Sequence, residues 1–423
     1  MQIVFLVISI LTTLLFLHQS VYLLVGLFHK PKTFKKAKEN RYAVLISARN
    51  EDNVIGHLLN SINLQSYPSE LVDIYVVADN CQDNTAEVSR SCGATVFERF
   101  NTEKVGKGYA LDFLLDNIKK LKGEDFYDGF FVFDADNILE PDFIEQMNYT
   151  FSAGYKIITS YRNSKNYDTN WITSGYAMWF LREARYVNKA RMIMNTSCAI
   201  SGTGFLFHKD ILKRRGGWKC YLLTEDIEFT IANVIEGEKV GYCHNAMLYD
   251  EQPETFRQSW NQRLRWARGF LEVFFHYGLK LIGRIFKNKS KNRFSCFDLF
   301  SVIAPLTIIT IACILLFGVG LAIDLINGTF DLQSCLTTVL TTLSASYLGY
   351  FFIGFITVLT EWKAINATAS RKILFLFTFP LYMATWIPIG FVALFKKKIE
   401  WKPIKHCVSK DINEIKNCDK TKK

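Results

Sequence analysis

The chain has 423 residues, of which 49% are hydrophobic and 15% aromatic, and it carries a net charge of +10. These proportions are high for a fully soluble enzyme and are typical of a protein that lies partly in lipid. Lys and Arg crowd the ends of apolar segments, which indicates contact with anionic lipid head groups and argues against nucleic acid as the partner. The ten cysteines include no CxxC pair, so we expect reduced thiols and no zinc site.

The first 30 residues predict a membrane anchor. Residues 3–28 are almost entirely apolar and long enough to cross about 30 Å of hydrocarbon. A cleaved signal peptide is the alternative, but the segment has no basic start and no small-residue cleavage site. Five lysines follow within residues 30–38, so the positive-inside rule predicts a cell-membrane protein whose next domain is cytoplasmic.

Residues 40–268 predict a soluble α/β domain. Strand patterns alternate with helical patterns, the strands at 42–47, 71–78, 95–98 and 129–133 and the helices at 53–64, 85–91 and 109–121. Such alternation is typical of a largely parallel sheet that binds ligands at the carboxyl ends of its strands. Ser47, Asp79 and Asp134 follow three of those ends.

The pair Asp134 and Asp136 ends an apolar run. In extended backbone, residues i and i+2 point to the same side, so both carboxylates could face one Mg²⁺ or Mn²⁺, ions that prefer oxygen ligands. A solvated turn is the alternative explanation of an Asp-x-Asp sequence.

Three short motifs occur in a fixed order along this domain. They are Asp134-Ala135-Asp136, Thr224-Glu225-Asp226 and Gln262-Arg263-Leu264-Arg265-Trp266. Together, and followed by hydrophobic segments, they resemble the family 2 glycosyltransferases that build polysaccharides at a membrane, namely cellulose, chitin, hyaluronan and poly-N-acetylglucosamine synthases. The resemblance implies the GT-A glycosyltransferase fold, in which helices flank a mixed nucleotide-binding sheet, with transmembrane helices attached.

The resemblance also implies a site for a UDP-sugar donor. The donor-binding residues would be Ser47, Glu51, Asp79, Lys107, Asp134, Gln262 and Arg265. Asp79 would accept the N3–H of uracil, Lys107 would lie near the phosphates, and Asp134 with Asp136 would hold a metal ion that bridges them. Ordinary turn and helix-entry chemistry also explains Asp79 and the glycines around Lys107.

The acceptor side is assigned in the same way. Asp226, with Glu225, would be the catalytic base that activates the acceptor hydroxyl, and one base implies inversion at the anomeric carbon. Gly202, Thr203 and Trp266 would contact the acceptor, which is a glycan or a lipid. Alternatively, the two acids begin a helix, where they favour its dipole, and Trp266 is an aromatic of the membrane interface.

The remaining chain predicts membrane contact. Residues 269–293 contain an amphipathic helix, 270–286, which either lies in the membrane interface or packs on the domain's own core. About three spans follow within residues 298–396, at 299–325, 336–359 and 373–395, and a basic tail occupies 397–423. Three crossings place that tail outside, but its lysines predict the inside, so the segment containing Pro380 and Pro388 is a candidate for one that does not cross.

These features predict an inverting, metal-dependent and processive β-glycosyltransferase that extends a polysaccharide from a UDP-hexose. Transfer of one sugar to a lipid is the alternative within the same chemistry. A transporter or sensor that only binds a nucleotide sugar is the alternative outside it, and this function would not require the base Asp226.

Overall fold

A computed structural model describes residues 2–287, 292–303, 305–396, 399 and 412–417. The strands are β1 Tyr42–Ala48, β2 Val72–Asp79, β3 Thr95–Arg99, β4 Gly129–Asp134, β5 Ile138–Leu139, β6 Ile157–Ser164, β7 Phe205–His208 and β8 Val240–Asp250. The α-helices up to residue 303 are α1 Gln2–Phe28, α2 Ile55–Asn63, α3 Thr85–Ser91, α4 Lys107–Lys122, α5 Phe143–Ser152, α6 Trp171–Arg182, α7 Lys189–Ile193, α8 Lys209–Arg215, α9 Glu225–Ile235, α10 Phe256–Phe286 and α11 Arg293–Ile303. They are followed by α12 Pro305–Ile326, α13 Leu332–Thr360, α14 Ala369–Ala384, α15 Trp386–Phe395 and α16 Ile412–Asn417.

The strands form one mixed sheet in the order β3-β2-β1-β4-β7-β6-β8-β5. The half β3-β2-β1-β4 is parallel, whereas β7 runs antiparallel to both of its neighbours, β4 and β6. The four strands and three helices predicted from the sequence are confirmed to within about two residues at their ends. The predicted α/β fold with a mixed sheet is therefore correct.

Helices cover both faces of this sheet, and each face has its own apolar core. On one face, α2 and α5 pack through Leu58, Leu59 and Met147. On the other face, α4, α6 and α9 pack through residues such as Leu114 and Phe229. The carboxyl ends of β1, β2 and β4 remain open between these layers, which is where ligands bind in open parallel sheets.

Helix α10 differs from the prediction because it is a single helix of 31 residues. The sequence predicted a separate segment after residue 268, but no helix-breaking residue other than Gly269 interrupts the pattern there. A Cβ at Gly269 would lie 2.5 Å from the Thr224 side chain, so glycine permits α10 to pass directly over the start of α9. The motif Gln262 to Trp266 thus lies in the first half of the helix that was predicted to contact the membrane.

The second half of α10 has two apolar faces. Val273 and Leu281 are fully buried in the domain core, as the core-packing alternative requires. Phe275 and Leu279, however, are 71% and 84% exposed, as an interfacial helix requires. Both interpretations of the sequence therefore describe part of this helix.

Within the described residues, three helical segments are long and apolar enough to cross a membrane. They are Ile308–Ile326 in α12, Leu332–Thr360 in α13, and Ala369–Phe395, which comprises α14 and α15. At the other end of the chain, α1 has 27 residues and its Thr13–Phe28 part is apolar. Most of the predicted basic tail, 397–423, lies outside the described residues, except for Ile399 and α16.

Candidate functional site

A cavity of about 840 Å³ lies at the carboxyl ends of β1, β2 and β4. All but one of the predicted site residues line it, namely Ser47, Glu51, Asp79, Lys107, Asp134, Asp136, Gly202, Glu225, Asp226, Gln262, Arg265 and Trp266. The fold thus brings together residues that are up to about 220 positions apart in the sequence.

Thr203 is the exception, because its side chain lies behind the cavity wall. It is buried, its hydroxyl accepts the backbone N–H of Asp134 at 2.9 Å, and it donates to Asn137 Oδ1. The predicted acceptor contact is therefore not seen for this residue. Thr203 instead holds the backbone of Asp134, whose side chain lines the cavity.

The strand ends position the donor side of the cavity. Ser47 of β1 lies opposite Asp134 of β4 in the parallel register. Asp79, the last residue of β2, is buried and forms a 2.5 Å ion pair with Arg99 at the end of β3. Sequence reasoning missed Arg99, although its position at the end of the adjacent strand could have indicated it.

Lys107 connects the two sides of the site. Its ammonium donates to Asp134 Oδ1 at 2.5 Å and to the Gly202 carbonyl at 2.8 Å. Burial acts to lower the pKa of Lys107, but the carboxylates of Asp134, Glu225 and Asp226 outweigh burial and raise it. Lys107 therefore remains a fixed cation beside the acidic groups.

Asp136 reaches the cavity by a route different from the one predicted. Strand β4 ends at Asp134, and the next two residues form a turn closed by a 3.1 Å hydrogen bond from Asn137 N to Asp134 O. The i, i+2 alternation of a strand thus does not apply, yet both carboxylates line the cavity. Asp136 is buried, and its Oδ2 accepts the backbone N–H of Glu251 at 2.8 Å.

Among the described residues, no group of three or more His, Cys, Asp or Glu side chains is arranged to hold a metal ion. If a divalent cation binds here, Asp134 and Asp136 are the carboxylates after β4 that line the cavity, and substrate and water would have to supply the remaining oxygens. This ligand set suits Mg²⁺ or Mn²⁺, because such ions are commonly held by one or two carboxylates together with phosphate oxygens and water.

Glu225 and Asp226 form an acidic pair at the first turn of α9. Burial and the nearby Asp226 carboxylate together raise the pKa of Glu225 to about 7. Burial also raises the pKa of Asp226, against the lowering effects of its backbone hydrogen bond, Lys107 and Arg265. A carboxylate that holds a proton close to neutral pH is well suited to general acid–base chemistry.

The loop before α9 is held by Glu228, which sequence reasoning missed. Glu228 Oε2 accepts the backbone N–H groups of Tyr221 and Leu222 at 2.8 and 2.9 Å, and its Oε1 accepts the Tyr277 hydroxyl. A capping carboxylate one turn into a helix was the available signal. The acidic pair therefore rests on a rigid connection between α9 and α10.

Helix α10 presents opposite faces of its motif to different neighbours. Gln262, Arg265 and Trp266 line the cavity, and the Trp266 ring packs edge-on against Tyr176 at 5.8 Å between centroids. Arg263 is fully buried on the other side and donates to Thr385 Oγ1 at 2.6 Å. The motif thus contributes to the cavity and also attaches α10 to the α14–α15 junction.

Arg162 is a second cation that the motifs did not indicate. Its guanidinium donates to Asp250 Oδ2 at 2.7 Å and to the Ser201 carbonyl at 2.8 Å, and it lies 3.8 Å from the centroid of the Phe180 ring. Burial raises the pKa of Asp250 to about 6, although Arg162 acts to lower it. No local sequence pattern marks an arginine in the middle of a strand.

The cavity continues beyond the acidic pair towards the apolar helices. Its far part is lined by Phe16 and Gln19 of α1, Trp179 and Arg182 of α6, and Trp386 of α15, together with Lys396 and Ile399. Arg182 lies 5.0 Å from the centroid of the Trp179 ring. Aromatic rings and polar groups are therefore interleaved in the part of the cavity that is lined by α1, α6 and α15.

Residues 40–269 match the profile of the family described as "Glycosyltransferase like family 2". The chain belongs to this glycosyltransferase family. It is 25% identical to the probable glycosyltransferase YdaM of Bacillus subtilis, over 94% of this chain and 96% of that one. The family 2 membership establishes the chain as a glycosyltransferase enzyme.

Two further relatives have different products. A poly-β-1,6-N-acetyl-D-glucosamine synthase of Staphylococcus epidermidis is 26% identical over 60% of this chain and 63% of its own length. A β-monoglucosyldiacylglycerol synthase of Synechocystis is 25% identical over 55% of this chain and 48% of its own length. The chain spans about half to two thirds of these two proteins.

A solved structure supports the fold. The mannosyltransferase PcManGT from Pyrobaculum calidifontis, in complex with GDP-Man and Mn²⁺, aligns with a TM-score of 0.57 over 91% of this chain and 97% of that one. The sequence identity is 14%, so the likeness concerns the fold. The predicted GT-A fold is confirmed.

Proposed function

We propose that the protein is an inverting, metal-dependent β-glycosyltransferase that transfers a hexose from a UDP-sugar to a growing polysaccharide. The observation that carries the proposal is one cavity that joins the carboxylates after β4, the acidic pair of α9 and the Trp266 side of α10. Donor, base and acceptor groups would then meet within one enclosed volume, which favours reaction over release.

In this proposal Asp226 is the base. It takes the proton of the acceptor hydroxyl while that oxygen attacks the anomeric carbon and UDP leaves from the opposite face. A single displacement inverts the configuration, so an α-linked donor gives a β-linked product. Arg265, which lines the same cavity, stabilises the departing diphosphate.

Asp134 and Asp136 would hold the divalent cation. When bound, that ion neutralises charge on the diphosphate and assists its departure. Lys107 keeps Asp134 in place, and the Glu251 backbone does the same for Asp136. Asp79, restrained by Arg99, offers its second oxygen to the uracil N3–H. The Mn²⁺ complex of PcManGT supports a metal role by analogy.

The far part of the cavity supports a sugar chain as the acceptor. Trp179, Trp266 and Trp386 offer aromatic faces, which suit the C–H faces of pyranose rings, and Gln19 offers an amide for hydroxyl groups. The relative that makes poly-N-acetylglucosamine is consistent with this acceptor. A processive enzyme would keep the chain in this cavity between additions.

Transfer to a lipid is the second candidate, and a specific observation favours it. The cavity is lined by residues of the apolar helix α1 and of α15, so a lipid acceptor could enter from the bilayer. The relative that makes monoglucosyldiacylglycerol fits this candidate. In both cases we propose a multi-pass protein of the cell membrane with its catalytic domain in the cytoplasm, because lysines cluster directly after α1.

Incubation of membranes that contain the protein with radiolabelled UDP-sugars and Mn²⁺ tests these functions. The polysaccharide proposal expects a protease-resistant polymer, which glycosidases then identify. A lipid that carries one sugar would establish the second candidate instead. Donor binding without transfer from any UDP-sugar would contradict both and would favour a binding protein.

A further inference from the structure

The three apolar segments after residue 304 are buried to very different extents. Of the most apolar 18-residue stretch in each, 11% is buried in Ile308–Ile326 and 6% in Leu332–Thr360, but 44% in Ala369–Phe395. The first two thus expose apolar side chains on all sides, as helices surrounded by lipid do. The third is one-sided and has a protein neighbour.

One neighbour is α13, whose Gly354 lies against the Phe379 ring. The other is the catalytic domain, and its contacts extend along the whole segment. Near its start, the Phe375 ring packs on Tyr167 at 6.0 Å between centroids. At its middle, Tyr382 packs so closely on α6 that a Cβ at Gly175 would lie 2.3 Å from the Tyr382 ring.

The second half of the segment packs on α10. Ile389 and Ala393 are fully buried in one cluster with Leu264, Ala267 and Leu271 of that helix. Just beyond the end of α15, Lys396 lines the catalytic cavity.

A crossing helix cannot make these contacts. The 27 residues of Ala369–Phe395 would extend about 40 Å as one helix, which places the ends on opposite sides of the bilayer. A domain on one side reaches only one end of such a helix. In this structure the helix is interrupted at Thr385, between α14 and α15. There Arg263 of α10 donates to the Thr385 hydroxyl and lies 4.5 Å from the Tyr382 ring centroid.

Helix α13 shows the contrasting behaviour of a crossing helix. Its second half meets the catalytic domain, where Tyr350 packs against the domain core, Tyr186 hydrogen-bonds Thr360, and Arg185 pairs with Glu361 just after the helix. Leu336 and Leu340, nearer its start, are exposed. The hairpin of α12 and α13 therefore leaves the domain and returns to it.

We infer that Ala369–Phe395 does not cross the membrane and that its outer face is an interaction surface for the lipid leaflet on the catalytic side. This face exposes an apolar series on both helices, comprising Ile373, Leu374, Phe377, Leu381, Ile387, Phe391 and Phe395. The crossings are then α1, α12 and α13, and the chain after Phe395 stays with the catalytic domain.

Helix α10 extends the same lipid-facing surface. The face that packs on α15 through Leu264 and Leu271 continues at intervals of four and seven residues, which are one and two helical turns, to Phe275, Leu279 and Phe286. These last three side chains are 71%, 84% and 75% exposed. The exposed part of this α10 face lies at the same depth as α15, because it continues the part that packs on α15. If α15 lies in the bilayer, the exposed part of α10 therefore contacts bilayer lipid.

Two features of the tail agree with this topology. Ile415 of α16 is buried against Ile138 and Tyr249 at the edge of the sheet, so the chain returns to the catalytic domain. The lysine-rich composition of 396–423 is typical of a cytoplasmic segment. Both follow directly if one apolar segment does not cross.

The test places one epitope tag at each of three positions in the full chain. One tag follows Gly123, an exposed turn of the catalytic domain, one follows Gly328 between α12 and α13, and one follows Lys423. Sealed membrane vesicles that contain each variant are probed with antibody before and after permeabilisation. We expect the Lys423 tag to have the same accessibility as the Gly123 tag and the opposite of the Gly328 tag.

The inference is overturned if the Lys423 tag shares the accessibility of the Gly328 tag. It is also overturned if Gly123 and Gly328 lie on the same side, because α12 and α13 would then not cross. Each tag must be detected after permeabilisation, which shows that the tagged protein is present. Transfer of labelled sugar in the same membranes shows that the tagged protein is folded. The result is independent of which sugar or acceptor the enzyme uses.

Discussion

At the scale of single residues, the site depends on how neighbouring charges are paired. Lys107 with Asp134 and Arg99 with Asp79 form buried or half-buried ion pairs, in which each acid is held by a cation. Glu225 and Asp226 are instead two adjacent acids, and burial is the main reason that the pKa of each is raised, that of Glu225 to about 7.

Substitution of the two acids should distinguish their roles. Asp226→Asn should lower kcat by about 10²- to 10⁴-fold because the base is lost. Glu225→Gln should retain activity, because the base Asp226 remains. In the unsubstituted enzyme the acid limb of the pH profile of kcat/KM should lie above the ordinary range of an aspartate, because activity requires the deprotonated base and falls as the pH drops through the raised pKa of Asp226.

The measurement is initial-rate kinetics between pH 5 and 9, with UDP affinity determined separately. An acid limb in the ordinary range of an aspartate would contradict the raised pKa of Asp226, and a loss of turnover in Glu225→Gln as large as in Asp226→Asn would contradict the division of roles. Turnover by Asp226→Asn close to that of the unsubstituted enzyme would remove Asp226 from the role of base.

The metal site yields a second prediction. Asp136→Ala should weaken the binding of Mn²⁺ in the presence of UDP, because one of the two carboxylates that the chain offers is lost. Electron paramagnetic resonance of free Mn²⁺ measures this without reference to turnover. Asp116→Ala, at an exposed position of α4, is the matched control and should bind Mn²⁺ normally. Equal Mn²⁺ affinity in the two variants would contradict the assignment.

At the scale of elements, α10 performs three tasks along one helix. Its first half lines the cavity through Gln262 and Trp266. Arg263 attaches it to the α14–α15 junction, and Leu281 in its second half is buried in the domain core. A change on one face of α10 should therefore affect a different property from a change on another face.

The cavity face of α10 predicts a defect in polymer synthesis. Trp266→Ala should shorten the product and spare slow donor hydrolysis, because the ring would hold the acceptor sugar between additions. Aromatic stacking on nucleic-acid bases is worth about 1–3 kcal/mol, and a similar value here corresponds to a loss of occupancy up to about a hundredfold. Product length on a gel and UDP release are measured in the same membranes.

Trp260→Ala is the control for this experiment, because Trp260 is on the same helix and packs towards α15 outside the cavity lining. It should leave product length unchanged. Polymer of full length from Trp266→Ala would show that the acceptor is held elsewhere. If Trp266→Ala only lowers the rate of sugar transfer, without a change in product size, the result would favour the lipid acceptor.

The other two faces of α10 predict a difference in stability. Leu281→Ala should destabilise the protein by about 2–5 kcal/mol, because a fully buried side chain leaves a cavity in the core. Leu279→Ala, two positions away and 84% exposed, should have little effect in detergent. Thermal unfolding of the two purified variants gives the comparison. Equal melting temperatures would contradict the assignment of the two faces.

At the scale of the whole molecule, a buried ion pair joins the first helix to the catalytic domain. Asp298 of α11 accepts from Arg191 Nε at 2.7 Å and from the Tyr22 hydroxyl of α1 at 2.7 Å. All three side chains are almost fully buried. Helix α1, the wall of the cavity and the helix that precedes α12 are thus held at one point.

Removal of Asp298 should be strongly destabilising. Asp298→Ala leaves the Arg191 guanidinium buried without its carboxylate, which typically costs about 3–5 kcal/mol. Glu124→Ala, which breaks the exposed pair with Lys119, is the control and should not measurably change unfolding. The melting temperature in detergent measures both. A tolerated Asp298→Ala would show that Arg191 finds another partner.

The sequence by itself determined the local elements and located most residues of the candidate site. Alternating patterns located β1 to β4, because buried strands and amphipathic helices each impose a short period on hydrophobicity. The motifs identified the carboxylates and the cavity face of α10, because the residue types that handle phosphate, metal and sugar are few. The roles of these residues in catalysis and binding stay predictions.

Only the tertiary structure decided how distant segments share space. It showed that Asp136 follows a turn, that Thr203 supports the site from behind, and that Arg99 and Arg162 restrain its acids. It also revealed the contacts of α14 and α15 with the catalytic domain. Hydropathy measures the length of an apolar segment, but whether its neighbour is lipid or protein depends on packing between residues about 200 positions apart, which no local pattern encodes.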